Sequence, residues 1–264
     1  MSVRVYRGKH RELGGPSKGL RLVPWLNVLA LFISSALWLF MPANRQDSLF
    51  LFILIFLFST AVFHAVIWHG FSWAITFGII GYGISFSALA LNGSAGILFG
   101  EIAYTYLLGN QLFSVPSILP LFWVAISYFA FTIARRMVYS PIAVVVIGAF
   151  IANSVQFALE QVATNAGYWQ WLNLTESTRT FVSIPTRALV VGFFVFALIL
   201  IMASQLPRND KLSSRPPFAA YLIFSFFCSL IVFIEFDLFI NALWIFSYLG
   251  VLALLYAFIT FKDR

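Results

Sequence analysis

Three polar side chains interrupt one of the most apolar stretches of this chain. Asn153, Gln156 and Glu160 are spaced i, i+3 and i+7. On a helix that spacing puts them on one face. A polar stripe on an apolar helix turns inward, where it serves either as hydrogen-bond glue between helices or as a reactive site. Glu160 has company. Glu101, Glu235 and Asp237 also fall at ends of apolar runs, so four of the nine acids gather at one end of the molecule if the runs alternate in direction. A carboxyl group with little water around it holds a proton that it can later donate. At headgroup level the same acids would instead be solvated, or paired with Arg179 or Arg187.

Residues 98–123, LFGEIAYTYLLGNQLFSVPSILPLFW, form the second feature with chemical content. The stretch is too polar and too broken by Gly and Pro to cross a membrane, and too long and aromatic for an ordinary connection. It carries Glu101, Tyr104 and Tyr106, then Val-Pro and Leu-Pro steps that lead to Trp123. Such a segment is expected to fold back against the membrane, as a re-entrant or interfacial piece over residues 92–114.

The elements that hold these groups follow from composition. The 264 residues are 61% hydrophobic and 9% charged, with mean hydropathy +0.94. A soluble domain carries about 25% charged residues. A helix needs roughly 20 apolar residues to cross a bilayer, where the backbone must satisfy itself. The expected fold is therefore an all-α polytopic bundle of seven or eight transmembrane helices. Its spans fall near 22–41, 48–68, 71–91, 115–134, 141–161, 182–204, 217–237 and 240–261. The last two come from one long run, with Glu235, Asp237 and Asn241 marking a hairpin. Residues 1–21 read as a basic cytoplasmic segment ahead of a retained first helix, and 22–264 as one transmembrane domain.

Charge orients the bundle. With the N-terminus inside, Arg4, Arg7, Lys9, Arg11, Lys18, Arg21, Arg135, Arg136, Arg208, Lys211, Arg215, Lys262 and Arg264 lie on the inner side. Arg45, Arg179 and Arg187 lie outside. Thirteen against three is the positive-inside pattern, which places both termini in the cytoplasm of a cell-membrane protein. It also accounts for the net charge of +7 without nucleic acid. Cys228, the single cysteine, excludes an internal disulfide and a cysteine metal site, and reads as a small packing residue. His64 and His69 do not share a helix face; with Trp68 beside them they read as interfacial residues, not metal ligands. Gly78, Gly81 and Gly83 read as a close helix-packing face. Asn173-Leu-Thr and Asn92-Gly-Ser match the glycosylation pattern. Nucleotide loops, dinucleotide fingerprints and zinc-protease motifs are absent from the sequence. So are the paired half-helices and internal symmetry of a transporter. The 31 Phe, 10 Tyr and 8 Trp suit lipid contact and would equally suit a long polyene.

Residues Gly96, Phe99, Gly100, Tyr104, Thr105, Leu108, Gly109, Val115, Pro116, Ile118, Leu119, Pro120, Leu121 and Trp123 together resemble the CruF-type family of membrane carotenoid biosynthesis proteins. So do Ala166-Gly-Tyr-Trp-Gln-Trp171 and Ile184-Pro185. The resemblance covers about residues 90–195. It implies a carotenoid hydratase, similar to bisanhydrobacterioruberin hydratases. Such an enzyme adds water to a terminal isoprenoid double bond by carboxyl acid–base chemistry and uses no cofactor. It implies Glu160 and Glu101 as catalytic acids, with Asn153 and Gln156 in support. Tyr104, Tyr106, Trp123, Trp169 and Trp171 would line the mouth, with Glu235 as a further substrate contact. The chain departs from the family pattern in three places: Leu89 and Gln156 stand where acids are expected, and Arg187-Ala188 where a polar–Asn pair is expected. Those departures favour an alternative reading, a non-catalytic carotenoid-binding or assembly subunit of a membrane complex.

Overall fold

The computed structural model describes residues 17–93, 96–172, 184–207 and 213–262. The basic residues before Ser17, together with Arg179, Arg208, Lys211, Arg264, the Asn173-Leu-Thr pattern and Ser94 of the other sequon, lie outside these. Eight helices run in order: α1 (Lys18–Trp38), α2 (Ala43–His69), α3 (Phe71–Asn92), α4 (Ile118–Met137), α5 (Pro141–Asn165), α6 (Thr186–Ser204), α7 (Arg215–Ile234) and α8 (Phe239–Lys262). Each is long and apolar enough to cross a membrane. Among the described residues the count is eight, and the protein is an integral membrane helix bundle.

Helix ends follow local chemistry. Ser17 caps α1, accepting the Leu20 N–H at 3.4 Å, so the helix starts at Lys18 and takes in Arg21. That is earlier than the 22 expected from hydropathy. Pro141 opens α5, and Pro216 and Pro217 lie in the first turn of α7, where the missing N–H costs nothing. The run behind α7 and α8 does break into a hairpin. Asp237 takes a positive φ of 52° in the turn, and the Asn241 amide donates to Gln161 of α5.

α4 is the axis of the bundle. Every residue from Phe122 to Ala134 is buried. α2, α3, α5, α6, α7 and α8 pack around it, while α1 lies against α2 and α7. The outward faces carry exposed Leu26, Phe32, Phe194, Phe246, Leu254 and Phe258, a surface that only lipid can solvate. His64 is fully buried inside the bundle, and its Nδ1 lies 2.7 Å from the Tyr128 hydroxyl of α4. His69 stacks on Trp73 at 3.9 Å. Cys228 is buried within α7, as its reading as a packing residue required.

The three glycines of α3 do not form one packing face. A Cβ at Gly81 would meet Val124 Cγ2 at 3.0 Å, but at Gly78 and Gly83 nothing lies within 4 Å. Gly78 and Gly83 instead line an apolar cleft of about 540 Å³ between α2, α3 and α4, beside Ala65, Phe77 and Tyr128.

Two small antiparallel ladders interrupt the helical pattern. β1 (Ile102–Tyr104) pairs with β4 (Trp169–Trp171), and β2 (Gln111–Leu112) with β3 (Val115–Pro116). Val115 and Pro116 therefore belong to a strand, and α4 begins after them. Residues 96–116 fold back over the end of the bundle, as a strap of strands and turns with no half-helix. Gly96 (φ +60°) makes its first turn. A Cβ there would lie 2.5 Å from the Glu101 nitrogen. Gly96→Ala is expected to destabilise the purified protein by about 1–3 kcal/mol through backbone strain. Gly78→Ala should be neutral or stabilising by up to about 1 kcal/mol. Thermal unfolding in detergent compares the two.

Candidate functional site

The stripe on α5 ends under the strap, and the strap is built to meet it. α5 stops at Asn165 with Gly167 (φ +76°) in the left-handed conformation just past its end. The Tyr168 N–H then bonds back to Ala163 O at 2.8 Å, a glycine-terminated helix stop. Gly167 turns the chain into β4, where successive side chains alternate. Trp169 and Trp171 therefore share one face, with Gln170 exposed on the other. Both indoles reach the carboxylate one turn inside α5: Trp169 Nε1 donates to Glu160 Oε2 at 2.9 Å and Trp171 Nε1 at 3.2 Å. Tyr168, pointing the opposite way, is fully buried and stacks on Phe50 of α2 at 4.7 Å.

The other oxygen is served from α4. Trp123 Nε1 donates to Gln156 Oε1 at 2.9 Å, and Gln156 Nε2 donates to Glu160 Oε1 at 2.8 Å. An indole only donates, so it fixes the amide's orientation and leaves the Gln156 NH₂ for the acid. Glu160, 6% exposed, thus accepts three N–H groups from neutral side chains. Among the described residues lining the cavity at this point, it is the one charged group.

The strap closes the cavity from β1. Tyr104 pairs with Trp169 in the ladder and packs edge-on against its ring at 6.0 Å. Burial, with the neighbouring Glu160 carboxylate, holds the Tyr104 phenol pKa well above its ordinary value, so the group stays a proton donor. Thr105 ties down the next position. Its N–H and hydroxyl both bond Tyr168 O, at 3.0 and 2.9 Å. At the other root, Asn92 Oδ1 accepts the N–H groups of Leu98 (3.1 Å) and Phe99 (2.8 Å), and its amide donates to Gly100 O (3.0 Å). Phe99 stands edge-on to Trp123 at 5.8 Å. The cavity has a volume of about 30 Å³, room for one or two waters.

The structure thus gathers Glu160, Gln156, Tyr104, Trp123, Trp169 and Trp171 into one cavity. Other residues singled out from sequence lie elsewhere. Asn153 sits a turn away, donating to Leu189 O of α6 at 3.2 Å, and does not line the cavity. Tyr106 is 82% exposed. The Glu101 side chain does not line the cavity either, although its backbone oxygen accepts the Leu172 N–H at 2.8 Å. Glu235 is exposed beyond the end of α7. Among the acids expected at this end, Glu160 lines the cavity and Glu101, Glu235 and Asp237 do not. Asn92 was missed as a structural residue. Its signal was local: an Asn three and four residues ahead of Ala95 and Gly96, where a helix must stop and a glycine turn begins.

A buried carboxylate under a strap of aromatic side chains, among eight helices long and apolar enough to cross a membrane, defines an integral membrane protein with a polar site inside its bundle. The family model for carotenoid biosynthesis proteins matches residues 49–257, most of the chain, and the protein belongs to that family. Neither the curated proteins nor the solved structures contain a match. Of the positions at which this chain departs from the pattern read in sequence, Leu89, Gln156 and Ala188 line the Glu160 cavity, and Arg187 does not.

Replacing the acid tests the network itself. Glu160→Leu leaves the N–H groups of Gln156, Trp169 and Trp171 without their acceptor, at about 1–3 kcal/mol for each one that stays buried. The thermal midpoint in detergent should fall, with a change in tryptophan emission as two indoles lose their partner. Glu160→Gln should fall less, because its carbonyl still accepts.

Proposed function

We propose that this protein hydrates a terminal isoprenoid double bond of an acyclic carotenoid, with Glu160 as the acid–base group. The observation that carries the reading is a single buried carboxyl, held by neutral N–H donors and walled by aromatic rings. Oε2 receives two indole N–H groups and Oε1 one amide N–H, which leaves Oε1 the place for a proton. That proton goes to the CH carbon of the double bond, and the π electrons form the new C–H bond. The tertiary cation left behind is stabilised by the faces of Trp123, Trp169 and Phe99. Water attacks it, and the surplus proton returns to the Glu160 carboxylate. The net change is addition of one water, so the chemistry needs no cofactor. Tyr104, kept protonated beside Glu160, orients the water.

The basic bias of one set of connections supports a cell-membrane location with both termini in the cytoplasm. A second reading, a carotenoid-binding or assembly subunit without catalysis, draws support from the cavity's remaining wall. There Leu89 and Ala188 offer no polar group, and both ends of the Gln156 amide already hold a protein partner.

Expression in cells that accumulate an acyclic carotenoid separates the two. Hydration predicts a product heavier by one water, reduced about a hundredfold or more in Glu160→Gln. Binding alone predicts unmodified carotenoid co-purifying with the protein and no new pigment. Neither product nor bound pigment contradicts both.

A further inference from the structure

The cavity that holds Glu160 is too small for even one five-carbon isoprenoid end, so a wall must give way for a substrate to reach the acid. The walls differ in what opening them would break. The strap is pinned by the β1–β4 ladder, by the bonds of Thr105 to Tyr168 and by the three bonds of Asn92. The α4–α5 wall is crossed by the Trp123–Gln156–Glu160 chain and lies against the buried core. Opening either strands hydrogen-bonding groups away from water.

The third wall is different. It is made by Leu89 of α3 and by Ala188, Leu189 and Gly192 of α6. No hydrogen bond between described residues joins α3 to α6, so parting them breaks only apolar contacts, which bilayer chains or substrate replace. Ala188 is only partly buried, so it touches both cavity and surface, and Leu91 and Val190 beside the seam are exposed to the apolar phase. The seam is also narrow by composition. Gly192 has no side chain, and a Cβ there would meet Asn153 Oδ1 at 2.9 Å. Asn153 in turn holds α6 through Leu189 O. Its role is then to set the spacing of α6, not to touch the substrate.

We infer that the isoprenoid end reaches Glu160 sideways from the bilayer, through the α3–α6 seam, and that Leu89 and Ala188 set the width it admits. This rests on the hydratase reading for the identity of the substrate, and on the geometry alone for the route. A slim, open-chain end with two methyl groups passes between Leu89 and Ala188. A cyclised end group does not. The bulk of the polyene stays outside, along the exposed face of α6 that carries Val190, Phe194 and Leu198.

The probe for a test is an acyclic isoprenoid hydrocarbon with a photoreactive diazirine at its terminus, added to the full-length protein in lipid vesicles. After illumination, cross-linked peptides are mapped by mass spectrometry. The wild type should label the cavity residues of α4 and α5 together with the 184–192 segment. Ala188→Trp should lower labelling of α4 and α5 by about tenfold or more, the scale on which an apolar wall discriminates by size. Leu89→Ala, which widens the seam, should raise it and serves if the tryptophan variant fails to fold. Cavity labelling that Ala188→Trp and Leu89→Ala both leave unchanged overturns the route while keeping the site. No cavity labelling in any form overturns both the route and the reading on which it rests.

Discussion

The structure at this end of the bundle depends on one requirement: a carboxyl group buried among helices must have its oxygens satisfied. Unpaired, such a group costs several kcal/mol or more. This chain supplies no cation among the described cavity residues. It supplies three N–H donors, two indoles from β4 and one amide from α5. Donors of this kind fix position without neutralising charge, so the acid stays available for proton transfer.

Much of the surrounding architecture follows from delivering those donors. Gly167 ends α5 sharply so that β4 doubles back over the last turns of its own helix. The two-residue alternation of the strand brings Trp169 and Trp171 to the same oxygen. β4 alone would be a loose end, and β1 pairs with it, placing Tyr104 on the cavity. β1 in turn needs a fixed start, which Asn92 and the Gly96 turn provide. The strap is thus the support of Glu160, and its aromatic content doubles as a surface for an isoprenoid cation. Between α3 and α6, by contrast, no hydrogen bond joins the described residues.

The helical frame was legible in the sequence because hydropathy in a membrane is nearly deterministic: eight runs became eight helices. Glu160 and Gln156 were legible as partners, since i and i+4 share a helix face. The indole contacts were not derivable from spacing alone. They depend on a two-stranded ladder between segments nearly seventy residues apart, too short to give a periodic signal. Grouping Glu101 and Glu235 with Glu160 failed for a related reason. Topology brings residues to the same end of a bundle, but the direction of each side chain is set by local turns. The glycines of α3 showed the same limit. Spacing nominated a packing face, whereas only Gly81 meets a neighbour, because α3 stands away from α2 along the cleft.

The most direct measurement of the central claim is the origin of the proton. If Glu160 donates it, the acid exchanges with solvent, and conversion of the acyclic carotenoid in D₂O places one deuterium on the carbon next to the newly hydroxylated one. Glu160→Gln should abolish both product and label. A hydroxylated product without deuterium at that carbon, or one formed at an undiminished rate in Glu160→Gln, would contradict the account.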